Sequence, residues 1–132
     1  MNAFVIQLEN KPGGLAKVAE AIAERGINIT GISAAGSGES GAIGLVTNDE
    51  DGTGQALDRA GISYRTLQLV AAQLQDRPGT LADAARRLAD AGVNVELVLP
   101  TGMTGSTINV AFGVDDAAAA SRALGELAEV KA

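Results

Sequence analysis

Two short segments carry the residue types that could hold a small charged ligand, Asn10-Lys11-Pro12-Gly13-Gly14-Leu15 and Asp76-Arg77-Pro78-Gly79-Thr80-Leu81. Proline fixes φ and brings no N–H donor, while glycine lets the backbone come close to whatever sits above it. A helix that starts after such a loop has free N–H groups bearing a partial positive charge, which suits a carboxylate. Asn28 and Asn94 open the strand expected to return beside each loop. An amide can both accept from an ammonium and donate to a carboxylate. The chemistry on offer is non-covalent capture of a zwitterionic head such as that of an amino acid. The same residues also read as a tight Pro-Gly turn, with Asn following a helix-ending glycine for local reasons. On spacing alone the two readings stand level.

Other chemistries are excluded by composition. The chain of 132 residues has no Cys and no His. It therefore offers no disulfide, no thiolate or imidazole metal site and no Cys-His or Ser-His nucleophilic pair. Ten Lys plus Arg against sixteen Asp plus Glu give a formal charge of −6, a poor match for a nucleic-acid backbone. Phe4, Tyr64 and Phe112 are the only aromatics and leave little on which bases could stack. With 46% hydrophobic residues the chain reads as globular, and its apolar runs are too short for a membrane span. Met1-Asn2-Ala3-Phe4-Val5 shows neither a basic n-region nor an apolar h-region, so no signal peptide is read. The absence of cysteine agrees with a cytoplasmic location. No cofactor, metal or catalytic residue is expected.

The elements that must position the loops come in duplicate. Laid over itself with Phe4 against Val70, the chain repeats. Ten of the 26 columns from Phe4 to Ile29 are identical, including both Pro-Gly pairs and the Gly and Asn of Gly26-Ile27-Asn28 and Gly92-Val93-Asn94. Past the next loop one extra position enters the second copy, and Ala56-Leu57 overlies Ala123-Leu124. Two units are read, 1–67 and 68–132, each β-α-β-β-α. Phe4, Ile6 and Leu8 alternate as the inner face of a strand, repeated by Val70, Ala72 and Leu74. Leu15, Val18, Ala19, Ile22 and Ala23 form one helical stripe, matched by Leu81, Ala85, Leu88 and Ala89. Gly26 and Gly92 stop these helices, where positive φ is wanted.

Strands are expected over Ile27–Ile32, Ala42–Thr47, Val93–Leu99 and Thr107–Val114, and further helices over Asp51–Ala60 and Asp116–Ala128. Ser63–Gln68 makes a fourth strand for unit one, running straight into Leu69–Gln75. In unit two only Glu129–Ala132 remains for that strand, which is therefore short or missing. Val5, Ile32, Val46, Ala71 and Val98 are assigned to the sheet face away from the helices. Alanine-rich helices make thin cores, and association of unit with unit and chain with chain is expected to complete them.

Two motif matches give way to plainer readings. Gly36-Ser37-Gly38-Glu39-Ser40-Gly41 fits a dinucleotide fingerprint in letters, but a strand follows it where a helix is required. It reads as a hairpin tip. Thr47-Asn48-Asp49-Glu50-Asp51-Gly52 echoes a calcium loop without its first Asp or its closing Glu, and reads as a turn with a helix cap.

The two Pro-Gly loops, the helices to Gly26 and Gly92, and the following Gly-[Ile/Val]-Asn strand starts together resemble the ACT domain family, whose members are small βαββαβ ligand-binding modules. The resemblance covers nearly the whole chain twice. It implies an α+β protein of two tandem ferredoxin-like units, with antiparallel sheets and helices packed on one face. It also implies binding of an amino acid at an interface between ACT units, by the loop and the start of the second strand. Carried over, this puts Asn10, Pro12, Gly13, Gly14, Leu15, Asn28 and Ile29 in one site. The other takes Asp76, Pro78, Gly79, Thr80, Leu81, Asn94 and Val95. Asn10 and Asn28 resemble the serine-binding asparagine pair of the phosphoglycerate dehydrogenase regulatory domain. Asp76 departs from that pattern and would repel a ligand carboxylate unless an ammonium approached it. Unit one is accordingly the preferred cradle.

Family members are usually fused to the enzyme they control, and the chain resembles the stand-alone tandem proteins that are not. The resulting expectation is a non-enzymatic regulatory protein, homodimeric or larger, that binds an amino acid and acts in trans on a metabolic enzyme. The alternative is a dimerising or regulatory subunit whose ligand site is vestigial. A small ferredoxin-like enzyme would need a positioned Arg or His at the loop, where Lys11 and Arg77 read more simply as solvated charges.

Overall fold

A computed structural model describes residues 1–128. The chain folds as two compact units, Asn2–Thr66 and a second that runs from Leu67 and also takes Met1. The elements of the first are β1 (Asn2–Glu9), α1 (Gly14–Ala23), β2 (Ile29–Ser37), β3 (Ser40–Thr47) and α2 (Glu50–Arg59). β4 (Arg65–Gln75) follows as one continuous strand, and α3 (Thr80–Asp90), β5 (Val95–Thr104), β6 (Thr107–Val114) and α4 (Ala117–Leu124) complete the second. Each unit builds an antiparallel sheet, β2-β3-β1 in the first and β4-β6-β5 in the second. This is the ferredoxin-like α+β architecture in tandem. A 3-10 turn, Gly125–Leu127, extends α4, and Ala128 makes a single antiparallel bridge to Ala72. The expected short strand at Glu129–Ala132 lies outside the described residues.

The helices form where caps and apolar spacing coincide. Asp49 and Asp116 are the N-caps of α2 and α4, each carboxylate accepting from a first-turn N–H at 2.9 and 3.0 Å, which satisfies a donor the helix itself cannot. The Thr47, Thr53 and Asp49 groups bond one another around that first cap, so the calcium-like segment is consumed in starting α2. Gly26 and Gly92 follow α1 and α3 in the left-handed region, the conformation that ends a helix. Val18 and Ile22 of α1 meet Phe4, Ile6, Ile43, Leu45 and Leu57 in the first core. In the second, Ala84 and Leu88 of α3 and Leu124 of α4 meet Val70, Val110 and Phe112.

Two assignments made from periodicity are corrected. Of the expected α3 stripe only Leu88 is buried; Leu81, Ala85 and Ala89 are exposed and Ala84 takes the inner place. Ile32 and Val98 lie on the helix-bearing face of their sheets, opposite Leu45 and Phe112, and not on the far face. The cause is a β-bulge early in each outer strand, between Ile29 and Gly31 and again between Val95 and Leu97. Each bulge shifts the alternation by one residue. A further bulge between Pro100 and Gly102 inserts Thr101. This is the extra position by which the second copy outruns the first.

The last turn of unit two is tied down by one side chain. Arg87 donates to the Leu124 carbonyl at 3.0 Å and to the Glu126 carboxylate at 2.9 Å. The hydrogen bond from Arg87 holds the Glu126 carboxyl below its ordinary range, helped by a backbone hydrogen bond and the Arg87 charge, each of which favours the ionised form. A carboxylate depressed on folding stabilises above its unfolded pKa, and that stabilisation is lost as pH falls through the folded value. Acidification through this range should therefore lower the amide protection factors at Gly125–Leu127, measured relative to intrinsic exchange, and Glu126→Gln should abolish that pH dependence of protection. Leu88 has no exposure, and Leu88→Ala should cost about 2–5 kcal/mol by denaturant titration. Leu81 stands half in solvent, and Leu81→Ala should shift the same midpoint by less than about 0.5 kcal/mol.

Candidate functional site

In each unit the Pro-Gly loop ends in a glycine held at positive φ, Gly13 before α1 and Gly79 before α3. A side chain there would be strained, which explains the residue type. Neither helix has a side-chain cap, so first-turn N–H groups keep their positive end toward solvent or ligand. The loops are anchored by backbone to the outer hairpin. Asn10 donates its N–H to the Glu39 carbonyl at 2.9 Å, and Asp76 donates to the Ser106 carbonyl at 2.8 Å. The hairpin tips carry glycines at positive φ, Gly38 and Gly105, as tight hairpin turns require. The glycine-rich segment 36–41 is thus a hairpin tip.

The side chains around the two loops differ. In unit one the Asn10 amide donates to the Gly38 carbonyl at 3.0 Å and lies over Gly36, where a Cβ would come within 2.6 Å of it. Lys11 pairs with Glu9 at 3.0 Å in full view of solvent. In unit two Gln75 stands where Glu9 stood, and neither the Asp76 carboxylate nor the Arg77 guanidinium has a side-chain partner among the described residues. Thr80 donates its hydroxyl back to the Gln75 carbonyl at 2.8 Å and the Arg77 carbonyl at 3.2 Å, which stiffens the loop.

Between loop, first helical turn and hairpin each unit has a cleft. That of unit one, about 210 Å³, has Leu8, Asn10 and Leu15 on one side and a floor of Ala34, Gly36 and Gly41. That of unit two, about 260 Å³, is walled by Leu74, Leu81, Val98, Pro100, Ile108 and Val110, with Asp76, Arg77, Gly79 and Thr80 at its rim. Pro12, Gly13 and Pro78 shape the loops without lining either cleft, and Gly14 lines a neighbouring cavity with Ile6, Lys17 and Val18. The floor residues escape the sequence reading because they sit in a segment read only as a hairpin. Their signal is the run of small residues Ala34-Ala35-Gly36 and its replacement by Pro100-Thr101-Gly102-Met103.

Asn28, Ile29, Asn94 and Val95 lie elsewhere. The expectation that their strand starts beside the loop is corrected by the crossover. β1 and β2 both run antiparallel to β3, so the chain returns along α1 to the starting end of β1. Ile29 is level with Thr47, the last residue of β3, whereas the loop is level with Ser40, its first. The two features stand at opposite ends of the same strand. At that far end the Asn28 N–H donates to the Asn48 amide at 3.1 Å, and the Asn94 N–H to the Asp115 carboxylate at 3.0 Å. A single unit does not bring the loop and strand asparagines together.

Each unit is a ferredoxin-like α+β module with a glycine-opened, uncapped helix beside a cleft. Residues 3–61, which make up most of the first unit, match the ACT domain family model, and the second unit repeats the element order of the first. ACT domains are regulatory modules that bind small molecules. No curated protein matches the chain in sequence. Among solved structures, a protein of Bacteroides thetaiotaomicron is similar with 25% identity and a TM-score of 0.79, over 95% of this chain and 86% of that one. The ligand-free regulatory subunit of aspartate kinase from Thermus thermophilus shares the fold at 22% identity and a TM-score of 0.66, over 96% and 90%. The aspartate kinase of Clostridium acetobutylicum shares it at 17% and 0.63, over 96% of this chain and 32% of the enzyme.

The packing of Asn10 on Gly36 predicts a coupled pair. Gly36→Ala should displace the amide and cost about 0.5–1.5 kcal/mol, as should Asn10→Ala. The double variant should cost no more than either alone, a non-additivity read directly from denaturation midpoints.

Proposed function

We propose that this protein is a regulatory module that binds an amino acid where ACT units meet and acts in trans on a partner enzyme. The observation that carries the reading is the twofold occurrence of a glycine-opened, uncapped helix start beside a cleft with a polar rim. The aspartate kinase regulatory subunit supports the reading by analogy of fold. Because loop and strand asparagines are far apart in one unit, a ligand touching both would meet the loop of one ACT unit and the strand start of another. A homodimer or larger assembly would supply that arrangement. A cytoplasmic location accords with this role.

The second reading, a dimerising subunit with a vestigial site, is favoured by the engagement of the Asn10 amide with its own hairpin. A thermal-shift screen of the twenty amino acids separates the two. A bound ligand at 100 times its dissociation constant should add about 2.7 kcal/mol of stability. Selective stabilisation that Asn28→Ala or Asn94→Ala removes is the expected result. No response at millimolar concentration would favour the second reading.

A further inference from the structure

We propose that the cleft of unit two selects the ligand and takes an aliphatic amino acid, its branched side chain among Leu81, Val98 and Ile108 and its charged head between Asp76 and Arg77. This deepens the amino-acid reading above and rests on it.

The walls come first. All six wall residues of this cleft are aliphatic or proline, and two of them, Leu81 and Val98, are 51% and 40% exposed. Large apolar side chains held open around a concavity gain when an apolar group covers them. The volume, about 260 Å³, lies just below the usual range of small-molecule sites, which suits a ligand the size of one amino acid. The matching cleft of unit one is not built this way. It keeps Leu8, Leu15 and Ile43. But Gly41 stands where unit two has Ile108 and Ala34 where it has Pro100, and Ile32, the counterpart of Val98, does not line it, so three of the six apolar groups are missing.

The rim supplies the second, independent argument. In unit one the rim side chains have partners: Lys11 is paired with Glu9, and the Asn10 amide donates to the Gly38 carbonyl. In unit two the change of Glu9 to Gln75 removes the partner of the loop cation, and the change of Asn10 to Asp76 adds a carboxylate. Anion and cation then stand on adjacent residues at one edge of an apolar pocket, with no side-chain partner for either among the described residues. A ligand ammonium matches Asp76 and a ligand carboxylate matches Arg77, and such charge-assisted bonds are the strong ones. An aliphatic 2-oxo acid offers the same tail and carboxylate but nothing for Asp76. Serine offers the same head and nothing for the walls.

The test is calorimetric titration of the full chain with L-leucine, L-isoleucine, L-valine, L-serine and 4-methyl-2-oxopentanoate. The aliphatic amino acids should bind, and serine should not compete. Asp76→Asn, which gives unit two the loop residue type of unit one, should weaken leucine by about tenfold without weakening the oxo acid. Leu81→Asp, an acidic residue tolerated in a first helical turn, should abolish aliphatic binding while far-ultraviolet circular dichroism stays unchanged. Selection of serine over leucine would overturn the inference and leave the amino-acid reading standing. Leucine binding that survives both substitutions but is lost in Asn10→Ala or Leu15→Asp would overturn the assignment to unit two. Equal affinity for leucine and its oxo acid would overturn the role of Asp76. Failure of every amino acid to bind would overturn this inference and the reading beneath it together.

Discussion

A single backbone hydrogen bond, made once in each unit, holds loop to hairpin: Asn10 N–H to Glu39 and Asp76 N–H to Ser106. It draws the first loop and the outer hairpin across the end of the sheet, and the cleft is the space left beneath. Because donor and acceptor both belong to the main chain, the bond makes no demand on the side chain at 10 or 76. Those positions are thereby released to differ, and they do. In unit one the amide is spent on a second bond to the same hairpin, while in unit two the carboxylate is left over. The loop glycines serve this arrangement by turning the chain into the helix within one residue, so the anchored loop and the uncapped helix start stay adjacent.

The two units share this frame and diverge inside it. Two neighbouring changes alter the rim: Gln75 for Glu9 unpairs a cation and Asp76 for Asn10 adds an anion. The floor is altered by Ile108 for Gly41, which fills with branched carbon what is bare backbone in the first unit. A repeated fold thus carries two chemically distinct concavities, and the difference lies in side chains that the shared backbone does not constrain.

Much of this is legible in the residues. The duplicated Pro-Gly loops, the alternation of Phe4, Ile6 and Leu8, and the helix-stopping glycines have local causes, and local causes can be read locally. Thr107–Val114 is read to the residue, since both of its neighbours pair with it in regular register over most of its length. The errors trace to three physical sources. One-residue bulges reverse the faces of Ile32 and Val98, and nothing short of the pairing register reveals a bulge in a run that stays apolar. In α3 the alanines make two stripes nearly equal in apolarity, so periodicity alone does not choose Ala84 over Ala85. The placement of Asn28 fails for a topological reason: a βαβ crossover brings the next strand back to the start of the first, and sequence proximity to the loop does not become spatial proximity.

The extra residue in β5 has a consequence for how such sheets grow. An outer strand presents unpaired main-chain groups and invites another strand, and bulges and proline are the usual means of blunting it. Within its unit β5 is that outer strand, and it is interrupted twice, with Pro100 lacking an N–H beside the second interruption. The corresponding strand of the first unit, β2, has one interruption near its start and then an unbroken ladder from Gly31 to Ser37. The two interruptions and Pro100 therefore leave β5 a poorer template for an added strand than β2 is in its own unit.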